Sequence, residues 1–398
     1  MQSEARKPAP VNPSRVVAKV EAVLGSAPRP VALHEPNFGR RERALVTETI
    51  DTGWVSSGGK FVERFEQTVA RYVGARHGIA IVNGTAALHL ALILAGVRPD
   101  DEVLVPTITF VATANAVRHA NATPHFVDVS WKTLGIDAEA MDRHLQDAAT
   151  MQDGVLVNSR TKRPIRAVVP MHAFGHPVEF DALRKVAAKY NLIIVEDAAE
   201  ALGSQYENIP CGSLGLCAAL SFNGNKIITT GGGGMIVTND DALAVRARHI
   251  STTAKLHHAW EFLHDEVGYN YRLPNLNAAL GCAQMERIDE FVTAKRNLAG
   301  RYIDAFAKSE DGRILAEPSG TRSNYWLNTL VLASSDFAER DSVLSALHAA
   351  RILARPVWTP MHLLPMYKAS PRAPLPVAED IHRRCINLPS SAALAAQQ

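Results

Sequence analysis

Cysteine is scarce in this chain. Its four residues, Cys211, Cys217, Cys282 and Cys385, stand at spacings that fit neither a zinc site nor a disulfide framework. Charge of one sign is also lacking. The formal net charge of +2 removes the electrostatic case for a nucleic-acid partner. No apolar run is long and unbroken enough to span a bilayer, so no membrane partner is expected. The opening stretch "MQSEARKPAPVNPSRVV" has no apolar segment of the secretory kind. Together with the scattered cysteines this predicts a cytoplasmic protein. What is present is ordinary for a globular chain. Its 398 residues, 47% hydrophobic, can bury a large core and form two domains.

Hydrophobic patterning supplies the organisation. Residues 1–40 read as a Pro-rich arm around one short helix, "VVAKVEAVL". Apolar runs at 78–82, 101–106, 123–129, 166–172, 192–197, 218–223 and 234–239 read as strands. Amphipathic or apolar helical stretches such as 84–97, 109–121 and 179–191 alternate with them. Strands without in–out alternation, separated by helices, predict an α/β fold with a mainly parallel sheet covered on both faces. The polar turn "NSRTKR" inside 150–165 suggests an inserted hairpin. The expected domains are a large one over 41–265 and a smaller C-terminal α+β domain over 266–398.

Several segments at predicted strand ends carry chemistry. "VEDAAEALGS" places Asp197 at the carboxyl end of an apolar strand, where open α/β sheets bind ligands. Asp197 either faces a cofactor or caps a following "AAEAL" helix. "VNGTAALHLAL" puts Gly84, Thr85 and Ala86 at a strand-to-helix turn, either an anion site made from free backbone N–H groups or a plain turn. Phe110 in "PTITFVATANAV" either stacks on a flat cofactor or packs in the core. In "SFNGNKIITTGGGGMIVTND" Lys226 precedes four glycines. A phosphate-binding nucleotide loop requires the opposite order, with lysine after the glycines and a helix next. A lysine among small polar residues, with flexible glycines behind it, suits an internal Schiff base from which it must swing aside. Taken together these are the requirements of pyridoxal 5'-phosphate: a lysine for the aldehyde, an aspartate for the ring nitrogen, a cup for the phosphate and a flat ring.

"NGTAALHLAL", "PTITFVATANAV", "PMHAFGHP", "VEDAAEALGS", the lysine–glycine segment and "GYNYRLPNLNAALG" occur in the order seen in the DegT/StrS-type sugar aminotransferases. The resemblance covers about 32–391. It implies the aspartate-aminotransferase fold (fold type I) and a homodimer with shared active sites. It also implies Lys226 as the Schiff-base lysine, Asp197 as the ring-nitrogen partner, and Gly84, Thr85, Ala86 and Ser221 as phosphate binders. Phe110 matches the stacking ring. Asn270 matches an asparagine that reaches the partner subunit's phosphate. Glu200 stands where the family often has Gln or His, a departure that leaves its role open.

The subgroup most similar aminates C4 of a UDP-linked 4-keto-6-deoxy-N-acetylhexosamine, with glutamate as donor. The alternatives are a GDP-linked 4-keto-6-deoxymannose, as in perosamine synthesis, or a non-catalytic regulator that binds the cofactor. For a nucleotide-diphospho-ketosugar the candidate contacts are Trp54, Trp358 and Tyr325 as stacking rings and Lys60 and Arg355 as diphosphate partners. Each could equally be interface packing. His172 is a candidate behind them or a core histidine. No metal is assigned, although His257, His258 and His264 cluster in one polar loop.

Overall fold

A computed structural model describes residues 10–396. The first nine residues of the expected arm lie outside the described residues. The central sheet has nine strands. In chain order the strands up to Thr238 are β1 (His77–Ile81), β2 (Glu102–Pro106), β3 (Thr123–Val127), β4 (Ala149–Gln152), β5 (Val155–Asn158), β6 (Pro164–Val168), β7 (Ile193–Asp197), β8 (Gln205–Tyr206), β9 (Ile209–Pro210), β10 (Cys217–Ser221) and β11 (Gly234–Thr238). The main path is β1-β11-β10-β7-β6-β2-β3, and β8 and β9 belong to a separate small sheet. Along that path β11 alone pairs antiparallel, with β1 on one side and β10 on the other. All other strands on it therefore point the same way. Their carboxyl ends lie along one edge, the place where such sheets hold ligands.

The inserted segment is a hairpin, but its turn is Asp153–Gly154, both at positive φ, between β4 and β5. "NSRTKR" makes the second turn, joining β5 to β6. Asp-Gly favours the tight hairpin turn because both positions need φ > 0. A buried polar network fastens the insert to the sheet. Glu102 accepts from Asn158 Nδ2 at 2.9 Å and from Thr161 Oγ1 at 2.5 Å, and pairs with His125 at 2.8 Å.

The remaining strands are β12 (Gly312–Ile314), β13 (Thr321–Arg322), β14 (Asn328–Leu332), β15 (Arg355–Pro356) and β16 (Cys385–Leu388). Four of them form a second sheet in the order β12-β14-β16-β15. Its core contains Tyr302, Leu330, Val343 and Leu388, and also Val16, Val20 and Leu24. The helix Pro13–Leu24, N-capped by Asn12, is thus packed into the C-terminal core. Conversely Ala278, Cys282 and Phe291 belong to the core of the central sheet. Among the described residues there are two cores, and the helix Pro13–Leu24 and Leu394 both pack in the second.

Candidate active site

A cavity of about 590 Å³ opens at the carboxyl ends of β7 and β10 and the turn after β1. Gly84, Thr85, Phe110, Asp197, Glu200, Ser221 and Lys226 line it together. A larger cleft, about 730 Å³, lies between Arg71, Arg248 and Arg272. There Arg248 and Arg272 both pair with Glu66, and none of the convergent groups above lines it.

One end of the cavity is the start of the helix Gly84–Leu94. Asn83 is its N-cap, and its Oδ1 accepts the Ala86 N–H at 2.8 Å. Ala87 N–H donates to the Asn83 carbonyl. The Ala86 N–H is thus engaged by the cap. The N–H groups of Gly84 and Thr85 are the first two of the helix and have no intrahelical acceptor. Ser221 lies against them. A Cβ on Gly84 would stand 2.8 Å from Ser221 Cβ, so only glycine lets β10 and the helix start approach this closely.

Asp197 occupies the far side, 6% exposed at the end of β7. Residues 198–203 form turns rather than a helix, so the helix-cap reading of Asp197 does not hold. Its Oδ2 accepts from Thr113 Oγ1 at 2.7 Å, and its Oδ1 accepts the Ala199 N–H at 3.2 Å. Burial pushes its proton affinity up, and those two hydrogen bonds oppose the shift. Thr113 comes from the helix Val111–His119 and in turn meets Thr109 Oγ1 at 2.6 Å. Neither threonine carries a sequence signal beyond its type.

Lys226 lies in the loop between β10 and β11. Its Nζ donates to Glu200 Oε1 at 3.0 Å and stands 4.0 Å from the centroid of the Trp326 ring. Glu200 Oε2 accepts the Phe174 N–H at 2.9 Å. Burial pushes Glu200 up to about 7, against the opposing pull of Lys226 and of the Phe174 N–H. One of the glycines after Lys226 has a further use. A Cβ on Gly234 would fall 2.5 Å from the Asn83 carbonyl carbon and 2.7 Å from Gly84 N. That glycine makes room for the anion cup.

Arg355 and Trp358 also line the cavity, and Trp358 stacks on Phe174 with centroids 4.4 Å apart. The other substrate candidates lie elsewhere. Tyr325 is buried; its hydroxyl accepts the Glu317 N–H at 3.0 Å and its ring meets His176 edge-on. His172 is fully buried, with Nε2 on Glu196 at 3.1 Å and Nδ1 accepting the Val178 N–H; it holds the strand ends together from within. Trp54 and Lys60 border a separate pocket with Asn275, and Lys60 pairs with Glu48. Asn270 sits outside the cavity, bridged to Thr252. Among the described residues, one set of metal-capable groups, His249 with Asp265 and Glu266, lies where Arg246 already pairs with Glu266.

Comparison with known proteins gives a consistent result. The model of the DegT/DnrJ/EryC1/StrS aminotransferase family matches residues 36–398. The chain is 39% identical over 374 residues to the GDP-perosamine synthase of Caulobacter vibrioides, covering 93% of this chain and 95% of that protein. It is 34% identical over 370 residues to the GDP-perosamine synthase of Escherichia coli O157:H7, covering 92% and 95%. Among solved structures it is similar to the aminotransferase TlmJ from Streptoalloteichus hindustanus, with a TM-score of 0.82 and 29% identity over 91% of this chain and 94% of that one.

Proposed function

Since the chain belongs to the DegT/DnrJ/EryC1/StrS aminotransferase family, we propose that its cavity transfers an amino group from glutamate to C4 of a GDP-linked 4-keto-6-deoxyhexose. The protein is a pyridoxal-phosphate-dependent sugar aminotransferase of fold type I. The GDP-linked substrate is favoured over the UDP-linked N-acetyl sugar because two relatives covering nearly the whole chain are GDP-perosamine synthases. No described helix is long and apolar enough to cross a membrane.

The residues present fit the cofactor. Gly84 and Thr85 offer two unspent N–H groups beside Ser221, at the positive end of a helix, and Asp197 and Lys226 line the same cavity. When bound, pyridoxal phosphate supplies a carbonyl and a protonated ring that stores the electron pair left by a departing proton.

Everything else is done by the chain. Gly84, Thr85 and Ser221 hold the phosphate. Asp197 is the carboxylate that keeps a proton on the ring nitrogen, and Thr113 and the Ala199 N–H fix its orientation. Phe110 covers the ring. Lys226 Nζ anchors the cofactor and, when free, carries the proton to and from the substrate carbon as general acid and base. Glu200 Oε1 receives that ammonium. Arg355 and Trp358, on the small-domain side, face the nucleotide. Asn270 lies outside its own cavity and serves the partner copy in a homodimer.

The juxtaposition of Lys226, Asp197 and the Gly84–Thr85 cup in one cavity carries this reading. Purified protein should turn over a GDP-linked ketosugar with glutamate and leave the UDP-linked N-acetyl sugar largely unused. Lys226→Ala should abolish turnover. An active Lys226→Ala protein would sink the mechanism, and preference for the UDP sugar would sink the substrate assignment.

A further inference from the structure

Trp326 is a residue that sequence reasoning passed over. It is 4% exposed and comes just before β14, in the C-terminal part of the chain. Its indole makes two contacts to one short segment. The Nε1–H donates to the Asn225 carbonyl at 2.7 Å, the backbone group immediately before Lys226. The ring face lies under Lys226 Nζ at 4.0 Å. Glu200 Oε1 accepts from the same Nζ at 3.0 Å.

The contacts close on themselves. Glu200 Oε2 takes the Phe174 N–H, and the Phe174 ring lies parallel to Trp326, 14° apart with centroids at 6.4 Å. Two carboxylates in this cavity compete for the lysine ammonium, Glu200 and Asp197. Arg355 also lines the cavity, and His34 nearby is kept neutral, its proton affinity held well down by burial and then by Lys295 and Lys226. Asp197 must stay available for a ring nitrogen. A π-face attracts a cation, and this one stands beside the Nζ that Glu200 holds.

We propose that Trp326 is the positioning residue for Lys226: its indole face and the Glu200 carboxylate together seat the free ammonium. This rests on the role given to Lys226 above. The seat holds the amine with Glu200 and leaves Asp197 available. A tryptophan that merely filled the core or stacked on substrate would not govern the reactivity of Lys226.

The test uses the full-length protein saturated with pyridoxamine phosphate, in which the lysine is free. Labelling of Lys226 by trinitrobenzenesulfonate is followed by mass spectrometry, with exposed Lys132 as internal reference. Trp326→Leu removes both contacts and should label Lys226 about fivefold faster, with kcat down about tenfold and KM for the nucleotide sugar within about twofold, given the strength of cation–π contacts. Trp326→Phe keeps a ring face and should label within about twofold of the unaltered protein. Unchanged labelling in the Leu variant overturns the proposal, as does a rise in KM alone. If the Leu variant does not fold, fast labelling of the Phe variant overturns it equally. Labelling needs no turnover, so this outcome is separate from the Lys226→Ala test of the reaction.

Discussion

At the scale of single residues, the site is a set of buried polar groups whose partners determine what they do. Asp197 is held by Thr113 and the Ala199 N–H, so an amide at this position keeps the shape but cannot keep a proton on a ring nitrogen. Asp197→Asn should lower kcat by about a thousandfold, a loss read directly in steady-state assays, since it removes the electron sink rather than the binding site. Glu200 gives a pH signature. Burial pushes it from an ordinary 4.5 to about 7, so between those values the folded protein binds this proton more tightly than the unfolded chain. Stability therefore falls as pH rises through that window, by about 3 kcal/mol at most. Glu200→Gln should flatten the dependence. Urea unfolding at about pH 5 and about pH 8 checks this, and equal slopes in both proteins would mean that Glu200 is not desolvated. Lys226 and Asp197 were legible in the sequence as candidates, because Asp197 ends an apolar strand and Lys226 stands among small polar residues ahead of four glycines. Thr113 and Trp326 were not, because they act through contacts with residues far away in the chain.

At the scale of elements, the anion cup is a joint product of a helix start and two strands. Asn83 caps the helix, Ser221 ends β10, and β11 begins at Gly234 against the Asn83 backbone. A Cβ on Gly234 overlaps that backbone. Gly234→Ala should cost about 1–3 kcal/mol as an overpacked site and weaken cofactor binding with it. Gly232, two residues earlier in the same glycine run, has nothing within 4 Å, and Gly232→Ala should change stability by less than about 0.5 kcal/mol. Thermal melting and a fluorescence titration of cofactor separate the two variants. Equal behaviour would show that the run serves loop flexibility, as its sequence suggests. The sheet order itself was beyond sequence reasoning, since apolar strands carry no label for their neighbours.

At the scale of the whole molecule, one surface stands out. The segment around Lys255 and His264 forms a short antiparallel bridge whose Trp260 and Phe262 are about four-fifths exposed (81% and 80%). Asn270 follows it, outside the cavity. If two copies share their sites as proposed, Trp260→Ser with Phe262→Ser should shift the protein from dimer to monomer in light scattering. A complementation assay is sharper. Asn270→Ala and Lys226→Ala proteins, each impaired, should regain about one quarter of normal activity after dissociation and random re-pairing, because half the dimers hold one intact site. No recovery would mean that each copy is complete by itself.

By itself the sequence determined the α/β class, the mainly parallel sheet and the family, and marked Lys226 and the acid at the strand end as candidates, because these depend on local periodicity and on residue types at fixed spacing. Tertiary structure alone decided the rest. It committed the Ala86 N–H to Asn83, removed His172 and Tyr325 from the cavity wall, drew the N-terminal helix into the C-terminal core, and brought Trp326 under Lys226. Each of these is a contact between distant parts of the chain. Such contacts are chosen by how layers pack and by which buried polar groups find partners, and neither is written in any short stretch of sequence.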